Sequence, residues 1–168
     1  PRILYKMFAD KLKNTKSNLV TVSMGMALDI TGTAENTTLV RLVTHQFKKW
    51  LPNLNQYELM CCVGDEIKNH FPILVPMLRS LGIEPIPYMA IGHSSRHTDE
   101  FYASRVKHLV EKYKPMSICI KDVDGLLVAD RLRSLISAMG AAADGTPLEL
   151  HMHGMNGENT YNAVVAMQ

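Results

Sequence analysis

Two short runs carry the side chains best suited to chemistry. The first is Ile118-Cys119-Ile120-Lys121-Asp122-Val123-Asp124-Gly125, and the second is Leu150-His151-Met152-His153-Gly154-Met155-Asn156-Gly157. If each run is a strand leading into a loop, side chains alternate between faces, so Cys119 and Lys121 share one face and Ile118 and Ile120 the other. Ile118 and Ile120 suit a face covered by helices, which turns Lys121 towards the opposite side. A lysine there is costly unless it is paired or chemically altered. One outcome is an ordinary ion pair with Asp122 or Asp124. In the second run, histidines at i and i+2 project from the same face and can grip one ion, with Zn–N bonds of about 2.0–2.1 Å. Leu148 and Leu150, alternating with Glu149, set the same phase independently. The plainer outcome is two hydrogen-bonded imidazoles at a strand tip.

The elements that position these runs follow from periodicity. Strand-like stretches fall at 19–24, 57–63, 85–91, 117–121 and 148–153. Helical patterns lie between them. Leu39, Leu42, Val43, Phe47 and Trp50 share a face over 38–50, and Phe71, Leu74, Val75, Leu78 and Leu81 share one over 68–81. Further helices are expected over 99–113 and 129–139, and another over 3–14. Gly25, Gly64, Gly92, Gly125 and Gly157 each follow a strand run, as βα turns require. Strands alternating with helices of this length imply βαβ units and a parallel sheet. Strand starts recur roughly every 30–38 residues, so eight units would need about 250–280, the size of a complete barrel. The expected fold class is therefore α/β, a TIM (β/α)8 barrel seen in part. An open doubly wound sheet has the same local alternation. The Gly-x-Gly-x-x-Gly fingerprint is absent after the first strand, where Met24-Gly25-Met26 stands, and this counts against dinucleotide binding.

Composition narrows the class. A 46% hydrophobic, 20% charged chain resembles soluble globular proteins and argues against disorder. A net charge of +2, with basic residues scattered, gives no footprint for nucleic acid. No apolar run reaches the roughly 18–20 residues of a membrane span. Cys61, Cys62 and Cys119 form no Cys-x-x-Cys pair, and reduced thiols point to the cytoplasm.

Lys121 and His151 lie one βα unit apart, so they are expected at adjacent strand tips in one mouth. A neutral lysine amine can add carbon dioxide and become a carbamate, an anionic oxygen donor; withdrawal from water favours the neutral form. Ile120-Lys121-Asp122-Val123-Asp124-Gly125-Leu126-Leu127 is similar to the Ile-Lys-Asp-Met-Ala-Gly-Leu-Leu motif of the carboxyltransferase domains of pyruvate carboxylase and the oxaloacetate decarboxylase alpha subunit. Leu150 to Gly157 resembles their Leu-His-Thr-His-Asp-Thr-Ser-Gly. The likeness is specific over about residues 73–168 and architectural before that.

The resemblance implies a single partial carboxyltransferase-type barrel domain over residues 1–168, holding the third to seventh strands. The first strand, with a metal-binding Asp, is expected upstream, and the eighth strand with a proton-shuttling Thr downstream. It implies a divalent metal (Zn, Mn or Co) held by carboxylated Lys121, His151 and His153, with Lys121 the catalytic residue. The metal would polarise a keto acid and stabilise its enolate, which takes the carboxyl group from carboxybiotin. Biotin would come on a separate domain or subunit, since no Met-Lys-Met attachment sequence is present. A biotin carrier, a biotin carboxylase and a second copy of the chain are the implied partners. Asp122 is a candidate for a supporting role behind the ligands. His93 and Arg96 are candidates for substrate binding, Arg96 through a bidentate grip on a carboxylate.

Three departures stand out. Val22-Ser23-Met24-Gly25-Met26-Ala27 lacks the family's pyruvate-clamping Arg, Gly154 replaces an Asp, and Gly92-His93-Ser94-Ser95-Arg96-His97 differs from the usual loop. A metal-dependent C–C lyase or acyl-CoA aldolase, like hydroxymethylglutaryl-CoA lyase or isopropylmalate synthase, is the alternative. Those enzymes share the paired His but generally lack the Lys. A barrel that binds metal or ligand without turnover is the third reading.

Overall fold

The computed structural model describes residues 20–23, 34–60, 65–154 and 157–167. The expected helix over 3–14, the residues Met24–Ala27, Cys61 and Cys62, and the tip residues Met155 and Asn156 lie outside them. Among the described residues strands alternate with helices, two helices following the second strand: β1 (Val20–Ser23), α1 (Ala34–Trp50), β2 (Leu54–Met60), α2 (Asp65–Asn69), α3 (Phe71–Ser80), β3 (Glu84–Ala90), α4 (Asp99–Tyr113), β4 (Ile118–Asp122), α5 (Ala129–Ala142), β5 (Leu148–Met152) and α6 (Glu158–Ala166). Contacts divide the chain into two units, with the boundary inside β3.

The first unit comprises residues 1–59 and 65–85. Its strands β1 and β2 pair in parallel, with Val22 opposite Tyr57 and Ser23 opposite Glu58. Tyr57 donates its hydroxyl to Thr44 of α1 at 3.0 Å, so that side of β2 faces a helix. Burial pushes the Tyr57 phenol above its ordinary pKa, and the Thr44 contact partly offsets the rise. The expected helix over 68–81 is two helices. Pro72 cannot donate to the carbonyl four residues back and its ring crowds that turn, so one helix ends at Asn69 and the next starts at Phe71. Lys48 reaches from α1 to donate to the carbonyls of Leu81, at 2.5 Å, and Gly82, at 3.3 Å, covering the end of α3.

The second unit comprises residues 60–64 and 86–168 and holds every candidate site residue. Here β3, β4 and β5 form a parallel sheet in sequence order. Every residue of β4 is buried. The apolar stripes of α4 (Tyr102, Val106, Leu109) and α5 (Leu132, Leu135, Met139) are fully buried, which is the burial an amphipathic helix needs. Thr98 caps α4 by accepting the Phe101 N–H at 3.2 Å, and the helix closes on a left-handed Lys114 that donates to Val110 at 3.1 Å.

Candidate functional site

Register decides which side chains meet. Lys121 lies opposite Ala90 on one side and His151 on the other, and Cys119 lies opposite Tyr88 and Glu149. Residues opposite one another in a parallel sheet project from the same face. One face therefore carries Ile86, Tyr88 and Ala90 from β3, Ser117, Cys119 and Lys121 along β4, and Glu149, His151 and His153 along β5. Contacts agree with this phase. Ile86, Tyr88 and Cys119 form one buried cluster, and Ser117 donates to the Glu149 carboxylate. The other face presents Ile118 and Ile120, both fully buried.

Lys121 is only 7% exposed, and its Nζ stands 4.6 Å from the centre of the Tyr88 ring. The negative face of an aromatic ring attracts a cation at that distance. Tyr88 was not singled out from the sequence, where it reads as one more strand aromatic. The signal was its place two residues before the C-terminal end of β3.

The paired histidines meet. Nε2 of His151 lies 3.0 Å from Nε2 of His153, with ring centroids 5.1 Å apart. At this distance one imidazole N–H donates to the other, which is the plainer of the two expectations. The same separation also lets both nitrogens lie within about 2.0–2.1 Å of one ion. Among the described residues no group of three or more His, Cys, Asp or Glu gathers in metal-binding proximity. Two imidazoles fall short of the three protein ligands usual in catalytic zinc sites. Among the described residues the two histidines therefore do not by themselves complete such a site. Imidazole nitrogens are the kind of donor a borderline metal takes.

Asp122 points elsewhere. It is 1% exposed, and its carboxylate accepts the N–H of Leu126 at 3.2 Å and of Leu127 at 3.0 Å. Its side chain organises the loop after β4. The Leu127 carbonyl in turn accepts Nδ2 of the buried Asn162 of α6 at 2.6 Å. Asn162 was also missed from the sequence; a polar residue inside an apolar helical stripe was the available sign.

The loop after β3 starts level with Lys121, since the Ile91 N–H donates to the Lys121 carbonyl at 2.9 Å. His93 and Arg96 are both exposed on it. His97 closes the loop inward: it lies against Gly92, where a Cβ would strike its ring, stacks on Tyr102 and accepts or donates to Ser94 Oγ at 2.9 Å. Tyr102 OH accepts the Gly92 N–H at 2.8 Å and donates to the Ala90 carbonyl at 3.3 Å, tying α4 to the end of β3. Arg131 of α5 secures the far side by donating to the His97 carbonyl and pairing with Asp99.

This is the layout of an α/β barrel sector, with Lys121, His151 and His153 at the C-terminal ends of β4 and β5. No protein-family model and no curated protein sequence matches the chain. Solved structures do. The carboxyl transferase domain of Rhizobium etli pyruvate carboxylase is similar with a TM-score of 0.68 at 17% identity, covering 88% of this chain and 24% of that one. The same domain with pyruvate and biocytin gives 0.69 at 19% identity, covering 88% and 25%. HMG-CoA lyase from Brucella melitensis gives 0.55 at 16% identity, covering 73% and 48%. The chain thus spans about a quarter of the carboxyl transferase chains and about half of the lyase. At such identities the likeness is one of fold, and the fold is that of these TIM-barrel enzymes.

Proposed function

We propose that residues 1–168 are part of a carboxyltransferase-type barrel domain of a cytoplasmic, biotin-dependent enzyme that moves a carboxyl group between carboxybiotin and a keto acid. One observation carries the reading: Lys121, buried on β4, stands in register with His151, whose Nε2 meets that of His153 on the same face. The fold shared with a pyruvate carboxylase carboxyl transferase domain supports it.

In this reading Lys121, His151 and His153 hold a divalent metal. When bound, the metal supplies Lewis-acid polarisation of an acceptor carbonyl. The chain's own residues do the rest. The Lys121 amine, on losing its proton to solvent, would add to carbon dioxide with formation of an N–C bond and release of a second proton; the carbamate oxygens would be the third, anionic donor. The β3 loop brings Arg96 and His93 to the same end of the sheet, where a guanidinium and an imidazole can hold a substrate carboxylate. Biotin arrives on a carrier charged by a biotin carboxylase, and copies of the chain associate with each other.

The test is direct. The full protein, prepared with bicarbonate and Zn or Co, should carry about 44 Da extra on Lys121 by native mass spectrometry, the mass of the added carbon dioxide. It should hold about one metal ion per chain, lost in His151→Ala or His153→Ala. Full metal occupancy in the double variant would overturn the site. A lyase-type reading has its own support in the HMG-CoA lyase fold match and in the Lys121 amine resting on Tyr88. Metal bound by the two histidines with Lys121 unmodified would favour it.

A further inference from the structure

We propose that Gly125 is a positioning residue for His153, acting through a backbone latch between the loop after β4 and the tip of β5. Its consequence for metal binding rests on the function proposed above; its consequence for the imidazoles does not.

Four hydrogen bonds and one close approach build the latch. The His153 N–H donates to the Asp122 carbonyl at 3.0 Å, extending the β4–β5 ladder one step past the last strand residue. The Asp122 carboxylate turns the loop back by accepting Leu126 and Leu127 N–H, and Asn162 holds Leu127 from α6. The loop passes over the strand tip at Gly125. A Cβ there would lie 2.5 Å from the His153 carbonyl oxygen, 3.1 Å from its carbon and 3.3 Å from the Gly154 Cα, whereas ordinary contact begins at 3.4 Å. The missing side chain is what lets the two backbones close. Gly125 also has φ +67°, a conformation that strains most other residues.

Strain and contact can be separated, because Gly145 has φ +80° yet nothing within 4 Å of its would-be Cβ. Gly145→Ala carries the strain alone. Gly125→Ala carries the strain and pushes the His153 carbonyl by most of an ångström. Gly125→Asn keeps the push while Asn tolerates the left-handed backbone, so it serves if the alanine variant folds poorly.

The experiment uses the full protein with 15N-labelled histidine. Side-chain 15N signals of His151 and His153 are recorded without metal at fixed pH, followed by titration with cobalt(II) alone. Gly125→Ala or Gly125→Asn should move both imidazoles' signals and weaken cobalt binding about 10–100-fold. Gly145→Ala should lower the melting temperature yet leave both readouts at wild-type values. Unchanged imidazole signals in a folded Gly125 variant would overturn the latch, as would equal losses in Gly145→Ala. A wild-type protein that binds no cobalt would refute the metal reading, and the imidazole signals would still decide the latch.

Discussion

Removing the Asp122 carboxylate should be among the most damaging small changes to the second unit. Asp122→Ala deletes the acceptor for two backbone N–H groups, and the Leu127 N–H is buried. A hydrogen bond to a charged group contributes about 1.5–3 kcal/mol, and an abandoned buried donor keeps its full desolvation cost. Two such bonds would give about 3–6 kcal/mol. Leu126 is largely exposed and its N–H can turn to water, so the lower half, about 3–4 kcal/mol, is expected. That is a large share of the roughly 5–15 kcal/mol that stabilises a typical domain. Asp122→Asn retains one acceptor oxygen but turns an amide NH2 towards the other donor, so it should cost about 1.5–3 kcal/mol. Urea unfolding followed by circular dichroism measures both, with the m-value checking that the same surface is exposed. A loss below about 1 kcal/mol for Asp122→Ala, or an Asn variant as damaged as the Ala variant, would refute this reasoning.

Two further outcomes concern pH. Tyr57→Phe should cost about 1 kcal/mol through the lost bond to buried Thr44. Because burial raises the folded phenol's pKa, the folded chain keeps a proton that the unfolded chain releases; stability should fall as pH rises past the ordinary tyrosine value, and Tyr57→Phe should flatten that limb of a denaturation series. Thr98→Ala should cost about 1 kcal/mol through loss of the α4 cap. Glu100 is held below its ordinary pKa by its own backbone N–H first and then by Thr98, so its contribution is present above the ordinary glutamate value and lost as pH falls through the depressed one; the variant should show a shallower acid limb.

The facing of the strand residues was legible because it rests on a period of two. Cys119 and Lys121 face the same way, and His151 and His153 meet, as alternation along a strand demands. Helix 99–113 was legible to the residue, since Thr98 opens it with a capping side chain and Lys114 ends it in the left-handed region. Other boundaries moved for identifiable reasons. α5 runs on to Ala142 because Gly140, Ala141 and Ala142 extend the helix without adding to its apolar face. β2 starts at Leu54, where polar Asn55 and Gln56 masked the strand pattern. What sequence spacing could not reveal was contact between elements. Gly125 reads as a turn signal, and only the approach of His153 shows why no side chain fits there. Asp122 reads equally well as a partner for Lys121, until its carboxylate is found on the loop amides.

β4 places two separate demands on alternate codons. Ile118 and Ile120 are fully buried on the face opposite Lys121, where a polar or smaller residue would open a hole or strand an unpaired group. Ser117, Cys119 and Lys121 share the other face, where Cys119 packs with Ile86 and Tyr88 and Ser117 donates to Glu149. Five consecutive buried residues thus answer to two different sets of neighbours, and a substitution felt on one face leaves the packing of the other in place.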